Sequence, residues 1–302
     1  MFSKKALFIT ALIGTLFVAG CGQNKKDAPK ATGSTVKAQI TFNGSSTLSP
    51  VISKVGNDFT KKYTKWKGAN SSLPDAPIQI IVAPGGSGAG IKAVLDKKAD
   101  FGLVAREVKS TEKEKIKDFK DYKVGIDALT IAVNPNNPIV KLKNNLTSEE
   151  IRKIFSGEYK TWKDVDASLP DTEIVVVTRD LGGGAHEVFQ QKIMGKSKVT
   201  NKAIQAPSMG ALVAKVIENQ NAIGYASYGV SAQNKGKLVP MKVDGVEADE
   251  RTILDGSYKI QRPLLVVGSG TLTPIQKAFM DYLLSPEGIK VVKELGFVPV
   301  KK

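Results

Sequence analysis

The chain of 302 residues carries 44 Lys and Arg against 29 Asp and Glu, a formal net charge of +15, with one cysteine and one histidine. These counts exclude an internal disulfide framework, a thiolate metal site and a metal site built on a histidine cluster. Positive charge can indicate nucleic-acid binding, but carboxylates alternate with the cations along stretches such as Lys109 to Lys123. We interpret such stretches as solvated helical faces and expect no nucleic acid, metal or cofactor.

The amino terminus has the pattern of an export signal. Lys4 and Lys5 precede the apolar run from Ala6 to Val18, and Cys21 follows two small residues in the manner of a lipobox. The apolar run is shorter than the roughly 20 residues of a permanent membrane helix. A lone cysteine in this position predicts lipidation of Cys21, the alternative being an ordinary cleaved signal with a cysteine nearby by chance.

The expected processing divides the start of the chain into two parts. Residues 1–20 are predicted to be a cleaved signal peptide, and residues 21–37, rich in Lys, Gly, Ser, Thr and Pro, a flexible tether after the lipidated cysteine. We therefore expect an extracytoplasmic protein, in the periplasm or at the cell surface, anchored to the envelope membrane through Cys21.

Three segments combine a β-rich run, a turn containing glycine and a following helix, which indicates an α/β fold. In chain order the three predicted strands are Gln39 to Phe42, Ile78 to Val82 and Glu173 to Val177, and their helices are Pro50 to Tyr63, Ile91 to Lys98 and His186 to Met194. Later predicted elements are the helix Met209 to Asn219 with Ser208 as N-cap, the strand Ala222 to Ala226, and the helices Pro274 to Leu284 and Pro286 to Leu295.

Two further apolar runs, Ala128 to Val133 and Pro263 to Val267, have the composition of strands at crossing points between two lobes. They predict lobe I from residues 38–130 and 261–302, and lobe II from residues 131–260.

The three glycine-containing turns predict an anion site. Each turn places backbone N–H groups at a helix N-terminus, where the first donors lack intrahelical partners and the helix dipole is positive. Glycine permits close approach of a ligand to the backbone, and a neighbouring serine or threonine adds a hydroxyl donor. One such turn could exist for geometry alone, but three turns with Arg179 just before the third favour an oxyanion ligand.

The sequence does not match the known nucleotide-binding or catalytic motifs. Gly85 and Gly90 have the spacing of a phosphate-binding loop, but Ile91 stands where that loop needs lysine, and the dinucleotide fingerprint does not fit either. His186 is the only histidine and no Gly-x-Ser-x-Gly motif accompanies it, so we expect no catalytic role for it and no enzyme activity.

The chain resembles the phosphate-binding proteins of ABC transporters, which have the type II periplasmic binding-protein fold. The resemblance covers nearly the whole mature chain. The motifs that carry it are Asn43 to Pro50, Gly86 to Ala93, Asp100-Phe101-Gly102, Thr178-Arg179 with the turn that follows, Ala222 to Tyr225, and Gly256 to Pro263.

The resemblance implies a two-lobed α/β protein with a hinge of two crossing strands. Its ligand would be phosphate or a related oxyanion, its partner an ABC permease, and its state a monomer. Hydroxyls, backbone N–H groups and one arginine would bind the anion without a metal or a covalent step. Carried over by position, the implied ligand-binding residues are Ser46, Thr47, Ser87, Arg179, Gly183, Gly184 and Ala185.

The chain departs from the family pattern at three positions. Gly183 and Ala185 stand where the family usually has hydroxyl residues, and Ala105 stands where it usually has Asp or Ser. Loss of an acidic acceptor would weaken discrimination against sulfate, and smaller side chains would make room for an organic phosphate or phosphonate. The sequence is also compatible with a non-transporting sensor or scaffold of the same fold, and with an extracytoplasmic hydrolase. Arg106 and Arg262 either line the cleft or lie on its surface, and the surface is the expectation, as single arginines usually lie there.

Overall fold

The computed structural model describes residues 38–300. The expectations for the signal peptide, for lipidation of Cys21 and for the tether of residues 21–37 therefore lie outside the described residues.

Strands and helices alternate along this part of the chain. The strands are β1 (Gln39–Gly44), β2 (Gln79–Pro84), β3 (Phe101–Val104), β4 (Phe119–Val133), β5 (Asn145–Leu146), β6 (Val175–Arg179), β7 (Ile204–Ala206), β8 (Ala222–Ser227), β9 (Val239–Val243), β10 (Gln261–Ser269) and β11 (Val298–Pro299). The α-helices are α1 (Ser49–Tyr63), α2 (Trp66–Ala69), α3 (Ser87–Leu95), α4 (Ser110–Lys113), α5 (Ser148–Ser156), α6 (Trp162–Val165), α7 (Gly184–Phe189), α8 (Met209–Glu218), α9 (Tyr228–Gln233), α10 (Glu250–Leu254), α11 (Pro274–Leu283) and α12 (Pro286–Glu294). A 3₁₀ turn covers Pro138–Lys141, and a π-helical turn, Gln190–Met194, continues α7.

The sheet connects hydrogen-bonded neighbours in the order β2-β1-β3-β10-β4-β8-β6-β7. On one side β1 is parallel to β2 and β3, and on the other β6 is parallel to β7 and β8. The pairs β3–β10, β10–β4 and β4–β8 are antiparallel. Two parallel segments are thus joined through β10 and β4, which gives the two-lobed α/β architecture of type II periplasmic binding proteins.

The long strand β4 connects the two segments. Its first part, as far as Ala128, pairs with β10, and its last part, from Leu129, pairs with β8. Beside this change of partner, the hydroxyl of Tyr258 donates to the carbonyl of Leu129 at 2.9 Å. The runs predicted as crossing strands therefore belong to β4 and β10.

The buried apolar side chains form separate clusters on the two sides of this change of partner in β4. One cluster takes its members from residues 128–260 together with Val298, and it includes Trp162, Phe155 and Tyr225. A second draws on residues 40–124 and 264–297, and it surrounds the fully buried Phe279. A smaller third cluster, which includes Ile91 and Val94 of α3, draws on residues 91–116 and 265–267. Each group of helices therefore has its own core to pack on.

Two predicted elements differ most from the structure. The segment Lys109 to Lys123 is not a continuous helix: it contains the short α4 and then enters β4, because its residues from Phe119 pair with β10. The helix expected from Ile91 begins four residues earlier, at Ser87. A Cβ on Gly90 would lie 2.9 Å from the Leu103 carbonyl, so only glycine lets α3 pack this closely on β3.

Within residues 38–300, no helix combines the length and the apolar composition needed to span a membrane. In the same range, no three His, Cys, Asp or Glu side chains are grouped so that they could hold a metal ion.

Candidate functional site

The candidate site lies where parallel strands of both sheet segments end. Ser46 and Thr47 follow β1, Ser87 opens the helix after β2, and Ala105 follows β3. Arg179 is the last residue of β6. The carboxyl ends of parallel strands are where α/β folds usually bind ligands, and here the two sets of ends face each other.

Arg179 is the cation of the site. It is 2% exposed, and one edge of its guanidinium is bound by its surroundings: Nε and Nη2 donate to Asp180 Oδ1 at 3.0 and 2.6 Å. Nε also donates to the carbonyl of Ala206, and Nη2 to that of Pro207. The remaining nitrogen, Nη1, donates to Ser46 Oγ at 3.3 Å. These contacts fix the Nε and Nη2 edge of the guanidinium, and Nη1 is directed at the opposite lobe.

Three hydroxyl oxygens at the site each accept a hydrogen bond from an N–H group. Ser46 Oγ accepts from Arg179 and from the backbone N–H of Met209, Thr47 Oγ1 from Arg262 Nη2, and Ser87 Oγ from the backbone N–H of Ala105. A hydroxyl has one proton and two lone pairs. Because their lone pairs are engaged by donors that cannot accept in return, all three hydroxyls can donate their protons to an anion.

The third turn packs directly on the second. A Cβ on Gly184 would overlap Ser87 Oγ, and a Cβ on Gly86 would lie 3.3 Å from the Gly182 carbonyl. Gly184 is the first residue of α7 and Ala185 the second, so their N–H groups belong to the set without intrahelical acceptors. The structure thus brings backbone donors of the second and third turns to one place.

Gly183 leaves no additional room for a larger ligand. A Cβ at this position would lie 2.9 Å from Arg179 Nη2 and 3.0 Å from the Asp180 carbonyl. The expectation that the small residue opens space for an organic phosphate is therefore wrong at Gly183, because Arg179 and the backbone already fill that space.

Arg106 and Arg262 are buried, 3% and 2% exposed, so the expectation that they lie on the surface is wrong. Each has carboxylate partners that offset the cost of burial. Arg106 forms a bidentate pair with Glu112, at 2.8 Å for both contacts. Arg262 donates through Nε and Nη2 to Asp127 Oδ2 at 3.0 and 2.8 Å.

The positive charge of Arg179 acts on the buried guanidinium of Arg262. Burial lowers the pKa of Arg262, and the positive charge of Arg179 contributes to the lowering, against the opposing effect of Asp127. Two guanidinium groups of like charge thus lie in this region, which favours an anion near them.

Ion pairs also cross between the lobes at the edge of the site. Glu187 Oε2, on α7, lies 2.7 Å from Lys109 Nζ and 3.1 Å from Arg106 Nε. Among the described residues Arg106 Nε has no hydrogen-bond acceptor with suitable geometry, so its contact with Glu187 is a charge interaction rather than a hydrogen bond.

His186 is packed rather than free. It is 8% exposed, and its Nδ1 lies 3.4 Å from Thr178 Oγ1. Burial lowers the pKa of His186, which favours the neutral ring. Tyr225 accepts from the Arg179 backbone N–H at 3.0 Å, and burial raises the pKa of Tyr225 to about 12, so its phenol stays protonated. These contacts support the strand that carries Arg179.

Sequence reasoning misses four residues of this region: Asp180, Met209, Asp127 and Arg262 as a buried group. The sequence does predict the helix starting at Met209, and the first N–H of that helix could have been counted as a further donor. No local pattern indicates the pairing of Asp127 with Arg262, because the two residues are 135 positions apart.

Comparison with known proteins gives consistent matches along the chain. The model of the PBP superfamily domain matches residues 29–287. The phosphate-binding protein PstS of Staphylococcus epidermidis is 31% identical over 305 residues, which cover 97% of this chain and 88% of that protein. PstS of Staphylococcus aureus is also 31% identical, over 309 residues, covering 98% of this chain and 88% of the relative.

Solved structures agree with these relatives. A putative phosphate ABC transporter substrate-binding protein from Clostridium perfringens, with bound phosphate, is 29% identical and aligns with a TM-score of 0.75, covering 87% of this chain and all of that one. An ABC-type phosphate transport receptor from Vibrio cholerae, 23% identical, has the same fold at a TM-score of 0.67, with coverage of 86% and 100%.

Proposed function

Because the chain belongs to the PstS family of phosphate-binding proteins within the PBP superfamily, we propose that it binds phosphate between its lobes and delivers it to an ABC permease. The observation that carries the proposal is the set of three hydroxyls, of Ser46, Thr47 and Ser87, whose oxygens accept from fixed N–H groups, one of them Nη1 of Arg179. Phosphate oxygens are acceptors, and this site offers them donors.

Binding and release follow from contacts with both lobes. Ser46, Thr47 and Ser87 belong to the first segment of the sheet, whereas Arg179 and the N–H groups of Gly184 and Ala185 belong to the second. The N–H of Gly183, also expected to bind the ligand, donates to the carbonyl of Asp180 at 2.9 Å. An anion touches both sets of donors only when the lobes are closed, so it shifts the equilibrium towards the closed form. Opening removes half of the contacts and releases the anion to the permease.

Isothermal titration calorimetry with phosphate tests this function. We expect saturable binding of one phosphate per chain by protein purified without phosphate, and a strong loss of affinity in Arg179→Ala. Absence of phosphate binding by the folded wild-type protein would contradict the proposal.

A second candidate ligand is another oxyanion. Ala105 supplies no acidic acceptor, and the carboxylates of Asp180 and Asp127 pair with Arg179 and Arg262. An acceptor carboxylate would bind the proton of hydrogen phosphate and repel a fully ionised anion such as sulfate. Its absence therefore favours weaker discrimination between phosphate and sulfate. Competition titrations with sulfate and a phosphonate measure the discrimination directly.

Two further functional classes are separated by simple assays. A hydrolase would turn over a chromogenic phosphoester, whereas we propose a binding protein without enzyme activity, in line with relatives that are named for binding. A scaffold of the same fold would show no thermal stabilisation by phosphate, whereas a ligand that binds only the folded state raises the melting temperature.

The cellular context completes the proposal. A signal peptide over residues 1–20 and lipidation of Cys21 would place a monomer on the outer side of the membrane, with lobe I formed by residues 38–130 and 261–302 and lobe II by residues 131–260. The division of the apolar core supports this separation, except that Ala128, Leu129 and Val298 pack in the lobe II core. Mass spectrometry of membrane-extracted protein would detect the lipid on Cys21, and Cys21→Ser should release the protein from the membrane fraction.

A further inference from the structure

A buried ion pair connects the crossing strands to the candidate site. Arg262 and Asp127 are direct partners in the antiparallel pairing of β10 with β4, and they are 2% and 0% exposed. The other carboxylate oxygen of Asp127, Oδ1, accepts from Ser227 Oγ at 2.9 Å, at the carboxyl end of β8. The pair is therefore anchored in strands that belong to both segments of the sheet.

The guanidinium of Arg262 extends from this anchor to the turns after β1 and β3. Nη2 donates to Thr47 Oγ1 at 3.0 Å, and Nη1 donates to the carbonyl of Ala105 at 3.2 Å. The N–H of Ala105 donates in turn to Ser87 Oγ at 3.0 Å. One side chain thus holds the Thr47 hydroxyl directly and the Ser87 hydroxyl through a single residue.

We propose that Arg262, fixed by Asp127, is a positioning residue that orients the hydroxyls of Thr47 and Ser87 for the anion. This inference rests on the proposed anion-binding function and assigns to the pair a role within it. A guanidinium has donors only and cannot accept the Thr47 proton. The proton is therefore directed away from Arg262, where it is available to a ligand.

A purely structural role for the pair would have a different signature. Replacing Arg262 alone would leave Asp127 as an unpaired buried charge, which is strongly destabilising. A loss of affinity in the single variant could therefore come from loss of the folded state as well as from loss of positioning. The double variant Asp127→Asn/Arg262→Gln removes both charges, keeps the net charge of the chain and leaves side chains that can hydrogen-bond each other. It removes the positioning while leaving Arg179 and the backbone donors in place.

Phosphate titration of this double variant tests the proposal, with circular dichroism and thermal unfolding to establish that it is folded. We expect the dissociation constant to rise about tenfold, the effect of losing a hydrogen bond of ordinary strength. Arg251→Gln is the matched control: its side chain is 77% exposed on α10, and phosphate affinity should not change. A folded double variant that binds phosphate within twofold of wild type would overturn the proposal.

Thr47→Val provides a second test that leaves the buried pair intact. We expect it to weaken phosphate binding in the wild-type chain, and to weaken it much less when added to the double variant, because the hydroxyl is then no longer oriented. Equal losses in both backgrounds, when the double variant is folded, would overturn the positioning role. No loss in the wild-type chain would overturn it even if the double variant did not fold. Failure of the wild-type protein itself to bind any anion would instead contradict the proposed function.

Discussion

The side chains of Ser46 and Arg179, 133 positions apart in the chain, meet with 3.3 Å between Oγ and Nη1. The contact joins the turn after β1 to the end of β6, so it connects the two segments of the sheet. Asp180 and two backbone carbonyls fix the other edge of the guanidinium. An anion that inserts beside Ser46 therefore meets a cation that is already oriented.

Arg179→Ala should weaken phosphate binding by a factor of roughly 30 or more, because removing one partner of a desolvated charge pair costs about 2 kcal/mol or more. Calorimetry measures the change. Arg251→Ala, an exposed arginine on α10, is the control and should bind as wild type does. Unchanged affinity in Arg179→Ala would show that the anion binds elsewhere.

Gly184→Ala should impair closure of the lobes, because the added Cβ would overlap Ser87 Oγ. The overpacking is expected to cost about 1–3 kcal/mol in the closed form, with a corresponding loss of phosphate affinity. Small-angle X-ray scattering should show less compaction on adding phosphate than in wild type. In Gly210→Ala the new Cβ has no neighbour within 4 Å, so this variant should compact normally. Normal compaction and affinity in Gly184→Ala would contradict the packing of the two turns.

Glu187→Gln should weaken phosphate binding by up to about fivefold at low salt, because its partly exposed pair with Lys109 contributes about 1 kcal/mol at most and Arg106 keeps Glu112 as a partner. The variant removes the negative charge on α7 that pairs with Arg106 and Lys109 of the opposite lobe. The difference from wild type should shrink as salt is added. Glu218→Gln, which removes an exposed ion pair within α8, should have no effect. A salt-independent loss in Glu187→Gln would argue against an electrostatic cause.

The free energy of unfolding should fall as the pH drops below the ordinary histidine pKa of about 6.5. Burial lowers the pKa of His186 in the folded protein, so the unfolded chain binds more protons in the window below that value. Urea unfolding at a series of pH values measures the effect. In His186→Gln, the part of the slope due to this residue should disappear; the same slope in both proteins would assign it to other groups.

Local patterns are sufficient to predict much of the fold. The helix at Met209 has its expected cap, since Ser208 Oγ accepts from the Ala211 N–H, and the apolar runs at Ala128 and Pro263 lie in β4 and β10. The turns preceding α1, α3 and α7 are also visible as glycine- and serine-rich sequence. These features depend on neighbours a few residues apart, which a single sequence contains.

Contacts between residues that are far apart in the chain cannot be predicted from local patterns. The strand from Phe119 has a charged, helix-like sequence, and its pairing with β10 decides its conformation. Burial of Arg106 and Arg262 likewise depends on carboxylates that only the folded chain brings to them. The start of α3 at Ser87 depends on close packing against β3, which overrides the low helix propensity of its glycines.

A crystal structure of the protein with phosphate tests the central claim most directly. We predict phosphate oxygens within hydrogen-bond distance of the hydroxyls of Ser46, Thr47 and Ser87 and of Nη1 of Arg179, with the lobes closed. Phosphate bound elsewhere, or an Arg179 side chain turned away from it, would contradict the account.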